Sequence, residues 1–221
     1  MSPSAPPSHE PSLPELLGGR SGAVDASLAA LGFAAGWLLG VRELYPAIAG
    51  AVGVALVVSV WRLLRRRQPR AALLGLTGVL VGALVAARTG QAEDFFLVQL
   101  LSNVVSALVW TVSVWVRRPL LGVVVGAVLR QRGRWRADPV LRGAYARASW
   151  WWVGTYVLRT VVFGVLWSTG AVVALSLARV VLSWPLVAAC VALSWRTLRY
   201  RLARAGHPGL RHPQVAAPVV G

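Results

Sequence analysis

The chain has 221 residues, 57% hydrophobic and only 14% charged, whereas a soluble domain carries about 25% charged residues. Basic side chains outnumber acidic ones 23 to 7, a formal charge of +16, and every basic residue is arginine. This composition excludes an ordinary soluble domain, and the absence of lysine excludes a Schiff base and a Walker-type phosphate loop.

Residues 1–20 carry Pro3, Pro6, Pro7, Pro11 and Pro14 among serines, a composition that buries too little apolar surface to order itself. A disordered cytoplasmic tail is expected there. It lacks the basic and apolar regions of a signal peptide. Residues 21–204 form the expected membrane domain. Within it, runs long enough for roughly 30 Å of hydrocarbon, about 17 to 25 residues each, lie near 24–41, 44–64, 71–87, 95–116, 150–168 and 171–195. The apolar run 120–129 is too short to cross, so it is expected to be interfacial or re-entrant, within an arginine-rich loop 117–149. Residues 205–221 are again rich in proline and glycine and read as a second disordered tail. The expected fold is thus all-α: a polytopic bundle of about six transmembrane helices with a short interfacial or re-entrant segment before the fifth.

Orientation follows from arginine, which collects on the cytoplasmic side during insertion. With the N-terminus inside, Arg20, Arg62, Arg65, Arg66, Arg67, Arg70, Arg117, Arg118, Arg130, Arg132, Arg134, Arg136, Arg142, Arg147, Arg196, Arg199, Arg201, Arg204 and Arg211 fall inside, and Arg42 and Arg88 outside. A split of roughly nineteen to two requires an even number of crossings and cytoplasmic termini. It also points away from nucleic acid, since the arginines punctuate apolar runs instead of covering one polar face. The expected setting is a cytoplasmic membrane.

Small residues at i, i+4 spacing let helix backbones approach closely in lipid. Gly32, Gly36 and Gly40 form such a ladder, and Gly78 with Gly82 and Gly122 with Gly126 repeat the spacing. Packing within one chain is the favoured use of these pairs, with a seam between copies in a homo-oligomer as the other.

Arginines inside apolar runs cost about 2.5 to 3.5 kcal/mol on insertion scales and must find a partner or water. Arg159 and Arg179 are such residues, and counting from the outer ends of their runs puts them at matching depth with Asn103. Gln99, Asn103 and Ser106 share one helix face, and Glu93 with Asp94 caps the outer end of the same helix. Together they form a candidate polar cluster of Arg159, Arg179, Asn103, Gln99, Glu93 and Asp94. In one reading the arginines lock the bundle by bonding Asn103, Gln99 and carbonyls, or reach outward to the acids. In the other they line a wet cavity that receives an anionic or polar group.

Arg65, Arg66, Arg67, Arg70, Arg117, Arg118, Arg130, Arg132, Arg134 and Arg136 lie where anionic headgroups attract each charge by about 1 kcal/mol. They serve as topology determinants, or as a face for anionic lipid or an acidic partner. No catalytic residue, cofactor or metal is expected. One cysteine, Cys190, and three histidines, His9, His207 and His212, all near the ends, offer no disulfide, metal cluster or triad. The acids near a membrane face, Asp25, Glu43, Glu93, Asp94 and Asp138, are expected to have no lysine or histidine to assist them.

The phrases Leu17-Gly18-Gly19-Arg20, Arg88-Thr89-Gly90-Gln91-Ala92-Glu93-Asp94-Phe95-Phe96 and Val116-Arg117-Arg118-Pro119-Leu120 resemble, in this order, actinobacterial membrane proteins grouped as domain-of-unknown-function family 3159. The likeness runs from about Leu17 to Arg204. More distantly, Glu93, Asp94 and Phe95, with Arg118, Pro119 and Leu120, are similar to intracellular septation protein A. That resemblance implies a non-enzymatic envelope or septation protein acting through envelope or division partners and anionic lipids. A small transporter or channel lined by Arg159, Arg179 and Asn103 is the competing expectation.

Overall fold

The computed structural model describes residues 19–65, 69–131 and 133–210. Both tail expectations therefore fall largely outside the described residues, as do Arg66, Arg67 and Arg132 of the arginine face. Among the described residues every regular element is helical. In chain order these are α1 (Gly19–Leu39), α2 (Leu44–Leu64), α3 (Pro69–Thr89), a 3-10 turn (Ala92–Phe96), α4 (Leu97–Trp115), α5 (Leu120–Val128), a second 3-10 turn (Arg134–Arg136), α6 (Pro139–Ser168), α7 (Val172–Val181) and α8 (Trp184–Arg204). Four stretches are long and apolar enough to cross a membrane: Leu44–Leu64, Ala72–Thr89, Ala92–Trp115 and Val172–Arg204, with Ser27–Leu39 a shorter apolar helix. Leu56, Val57, Leu101, Val105, Val161 and Val165 are exposed, the outward-facing apolar surface that a bilayer, and not water, would cover.

Glycine sets the closest approach. A Cβ at Gly36 would lie 2.2 Å from the Pro46 carbonyl oxygen, one at Gly32 2.7 Å from that of Gly50, and one at Gly50 2.3 Å from that of Gly32. The Gly32, Gly36, Gly40 ladder is thus spent on the α1–α2 seam inside one chain. Gly36→Ala should cost about 1–3 kcal/mol, because backbone and not a movable side chain must yield, and chemical denaturation in mixed micelles would measure it. Gly82 packs on the Phe95 carbonyl, whereas Gly78 faces open space. Gly122 and Gly126 instead make a bed for the Trp135 indole, whose ring atoms would lie 2.7 and 2.6 Å from Cβ atoms there.

Two of the phrases that carry the resemblance are structural corners. After Gly90, at φ +75°, the 3-10 turn buries Phe95 and Phe96. Phe95 stacks on Phe33 of α1 at 4.2 Å, and Phe96 meets both rings edge-on. At the other end Arg117 takes φ +58°, Pro119 is fully buried, and the backbone amide of Leu120 donates to Ser113 Oγ at 3.3 Å.

Three expectations need correction. The segment 117–149 is not an extended loop: it holds α5, the second 3-10 turn and the first eleven residues of α6. Asp138 caps α6, its Oδ1 accepting from the amides of Val140 at 2.9 Å and Leu141 at 3.1 Å, and Pro139 follows at a position where no amide is needed. Trp135, within this segment, is only 2% exposed. At about 1.5 Å rise per residue α6 is about 45 Å long, longer than a hydrocarbon layer of roughly 30 Å is thick. Second, the run 171–195 is broken into α7 and α8. Pro185 stands at the start of α8 and lacks the amide that the Val181 carbonyl would accept from in a continuous helix. Third, residues 205–210 belong to the fold and not to a tail. His207 is buried, its Nε2 lies 2.8 Å from Asp138 Oδ2, and its Nδ1 accepts from the Gly209 amide at 3.1 Å. Nδ1 being an acceptor, the proton sits on Nε2 and is donated to Asp138. The pair joins the end of α8 to the start of α6 over a core of Leu121, Trp135, Leu141, Tyr145, Leu198 and Leu202. Burial, and secondarily the Asp138 carboxylate, push the Tyr145 phenol up to about 12.

Candidate functional site

The break between α7 and α8 lies beside α6, and Arg159 fills it. Its Nη2 donates to the carbonyls of Leu182 and, at 3.1 Å, Ser183. A cation belongs here, since the last carbonyls of a helix carry partial negative charge and have no donor of their own. The Arg159 guanidinium also sits 5.8 Å from the Tyr156 ring. In lipid, irregular backbone persists only where protein or a cavity satisfies it, and Arg159 supplies that satisfaction. Pro185 was the available sequence signal for this break, hidden by the unbroken hydropathy around it.

Next to the break is a cavity of about 120 Å³ lined by Ser27, Gln99, Asn103, Arg159, Phe163, Arg179, Leu182 and Ser183. Four of the six residues of the expected polar cluster, Gln99, Asn103, Arg159 and Arg179, therefore meet around one space. They do not lock each other. Gln99 Nε2 donates to Asn103 Oδ1 at 3.2 Å, while Asn103 Nδ2 and Arg159 Nε find no partner among the described residues, although Asn103 is only 1% exposed.

Arg179, in the last turn of α7, makes no hydrogen bond or ion pair with any described residue. It lines both this cavity and a second one of about 200 Å³, whose other walls are Leu74, Gly75, Gly78, Val79, Phe95, Val98, Gln99 and Ser102. The site thus holds donors that no described residue accepts from, the Arg179 guanidinium, Asn103 Nδ2 and Arg159 Nε, alongside groups that can accept, the Gln99 side-chain carbonyl and the Ser183 hydroxyl.

Glu93 and Asp94 are not part of it. Asp94 is buried and accepts from Trp167 Nε1 at 2.9 Å, and Glu93 lies against Gly170. Neither pairs with Arg159 or Arg179, because the 3-10 turn aims them at the α6–α7 connection. Ser176 is also spent locally, donating to the Val172 carbonyl. No group of three or more histidine, cysteine, aspartate or glutamate residues that could hold a metal occurs among the described residues.

On the opposite end of α6, Arg117, Arg118, Arg130, Arg134 and Arg136 are exposed, with Arg136 over the Trp135 ring at 5.5 Å. Arg65 is exposed and sits over Trp61 at 5.3 Å, and Arg70 lies in the first turn of α3.

No curated protein and no solved structure matches the chain. Residues 17–205 match the family described as protein of unknown function (DUF3159), which covers both cavities, the α7–α8 break and the His207 end of α8 short of that residue. The chain belongs to this family.

Proposed function

We propose that this chain is a six-crossing protein of the bacterial cytoplasmic membrane, with both termini in the cytoplasm, that binds an anionic group in the cavity at the α7–α8 break. The observation that carries the reading is the Arg179 guanidinium, without a partner among the described residues, at a cavity that Arg159 and Asn103, whose Nδ2 also finds no acceptor among the described residues, line as well. A cation left so in an apolar bundle is costly unless a negative group or water joins it. Broken helices at such depth are the way small carriers build substrate sites, and this protein is assigned to that class, with no covalent chemistry.

Binding is tested on the full chain in neutral detergent. Sodium butyrate is expected to raise the melting temperature, because a ligand that binds only the folded state stabilises it by mass action. Butanol and equimolar sodium chloride should not, and Arg179→Gln should abolish the rise. An equal butyrate effect in Arg179→Gln would reject the site.

Six crossings are supported by the arginine distribution and by the lengths of α1 and the outer part of α6, with α5 lying at the inner side, since its nine residues rise about 13 Å. In a Cys190→Ala background, cysteine at Thr89 should react with an impermeant thiol reagent on intact cells and cysteine at Arg130 should not. Reaction at Arg130 would overturn the orientation.

A second reading is favoured by the exposed arginines at the inner end of α4, α5 and α6. They form a face suited to anionic lipid or to an acidic partner in the cell envelope or septation machinery, with no enzymatic role. It is compatible with the cavity, since the two occupy opposite ends of α6.

A further inference from the structure

The two cavities share Gln99 and Arg179, yet their walls differ. The smaller is polar. The larger runs between α3 and α4, which barely touch, and its walls are Leu74, Gly75, Gly78, Val79, Val98 and Phe95. Its inner end is closed by buried Phe95 and Val79, whereas Leu74, Gly78 and Ser102 on its rim are exposed on the apolar exterior. Added Cβ atoms at Gly75 and Gly78 would meet nothing within 4 Å, so these glycines do not serve helix packing. They leave a slot open from the lipid-facing surface to the guanidinium of Arg179.

Charge narrows the occupant further. Arg159 already donates to the carbonyls of Leu182 and Ser183, so Arg179 is the guanidinium whose N–H groups no described residue accepts from. A single carboxylate suits that guanidinium, since two oxygens accept from one planar guanidinium in parallel, and Asn103, whose Nδ2 finds no acceptor among the described residues, lines the same cavity. An apolar slot that ends on one cation fits an acyl chain that ends in one anion.

We propose that the ligand is a single-chain fatty-acyl carboxylate that enters sideways from the bilayer, its tail between α3 and α4 and its head at Arg179 and Asn103. This deepens the anion-binding reading and rests on it, but the tail slot can fail while the head site stands.

The probe is palmitic acid bearing a mid-chain diazirine, photolysed with the full chain in nanodiscs, with labelled peptides mapped by mass spectrometry. Labelling should concentrate on Leu74 to Val79 and Val98 to Ser102. An excess of unlabelled palmitate should lower it about tenfold and palmityl alcohol should not, a discrimination of about 1.4 kcal/mol. Arg179→Gln should lower it by a similar factor. Gly78→Leu, or Gly75→Leu should the first fail to fold, should block the slot yet leave the butyrate stabilisation intact. Uniform labelling over Leu101, Val105 and Leu108, or labelling indifferent to Arg179→Gln, would overturn the proposal. If butyrate still stabilises the protein through Arg179, the head site survives that failure; if it does not, both fall.

Discussion

Asp138→Ala is expected to be among the most damaging single substitutions in the chain, on the order of 2–4 kcal/mol. It removes the cap of α6, typically worth about 1 kcal/mol, and strands the Nε2–H of a buried histidine, at about 1–3 kcal/mol. Asp138→Asn keeps an oxygen for the Val140 and Leu141 amides but turns an amide or a neutral oxygen toward His207, so it should fall between wild type and alanine. His207→Ala should cost less than Asp138→Ala because the cap survives. Guanidinium unfolding in mixed micelles, followed by far-ultraviolet circular dichroism, would rank the three. A loss in Asp138→Ala no larger than in His207→Ala would show that the cap contributes nothing measurable.

The second large effect belongs to Arg159. Arg159→Met keeps a long apolar stem but withdraws a charged donor from the carbonyls of Leu182 and Ser183, and hydrogen bonds to charged groups are worth about 1.5–3 kcal/mol. Membrane measurements of interhelical bonds average nearer 0.6 kcal/mol, so about 1–2 kcal/mol is expected, with Arg159→Lys rescuing only part. The need for Arg159 arises from the break, and Pro185 makes the break. Pro185→Ala gives the Val181 carbonyl an amide and lets α7 run toward α8, so Arg159→Met should cost distinctly less in that background. A double-mutant cycle measures the coupling. Strict additivity would mean that Arg159 is held for its contact with the cavity and not for the helix end.

Much of this architecture is legible in the sequence where hydropathy and helix length agree. The run 44–64 coincides with α2, and 71–87 and 95–116 lie within two residues of α3 and three of the Ala92–Trp115 stretch. Hydropathy is blind where polar residues continue a helix or apolar ones interrupt it. Arg142 and Arg147 dilute the first turns of α6, although Asp138 followed by Pro139 is a good helix start by its capping chemistry. Conversely, the apolar flanks of Pro185 mask a break. The polar cluster was half legible: periodicity puts Gln99 and Asn103 on one face and matched depth brings in both arginines. It could not exclude Glu93 and Asp94, because the turn that swings them toward Trp167 and Gly170 depends on Phe95 and Phe96 packing against Phe33, a contact between residues some sixty positions apart in the chain. The His207–Asp138 pair spans 69 positions and has no local signal.

The most direct test of the central claim is an experimental structure of the full chain with a bromine-tagged butyrate, in which bromine is located by its anomalous signal. The expected result is a peak beside the cavity bounded by Arg179, Asn103 and Gln99, absent in Arg179→Gln. Bromine found only around the exposed arginines near Trp135, with the cavity the same in both proteins, would contradict the assignment of an intramembrane anion site.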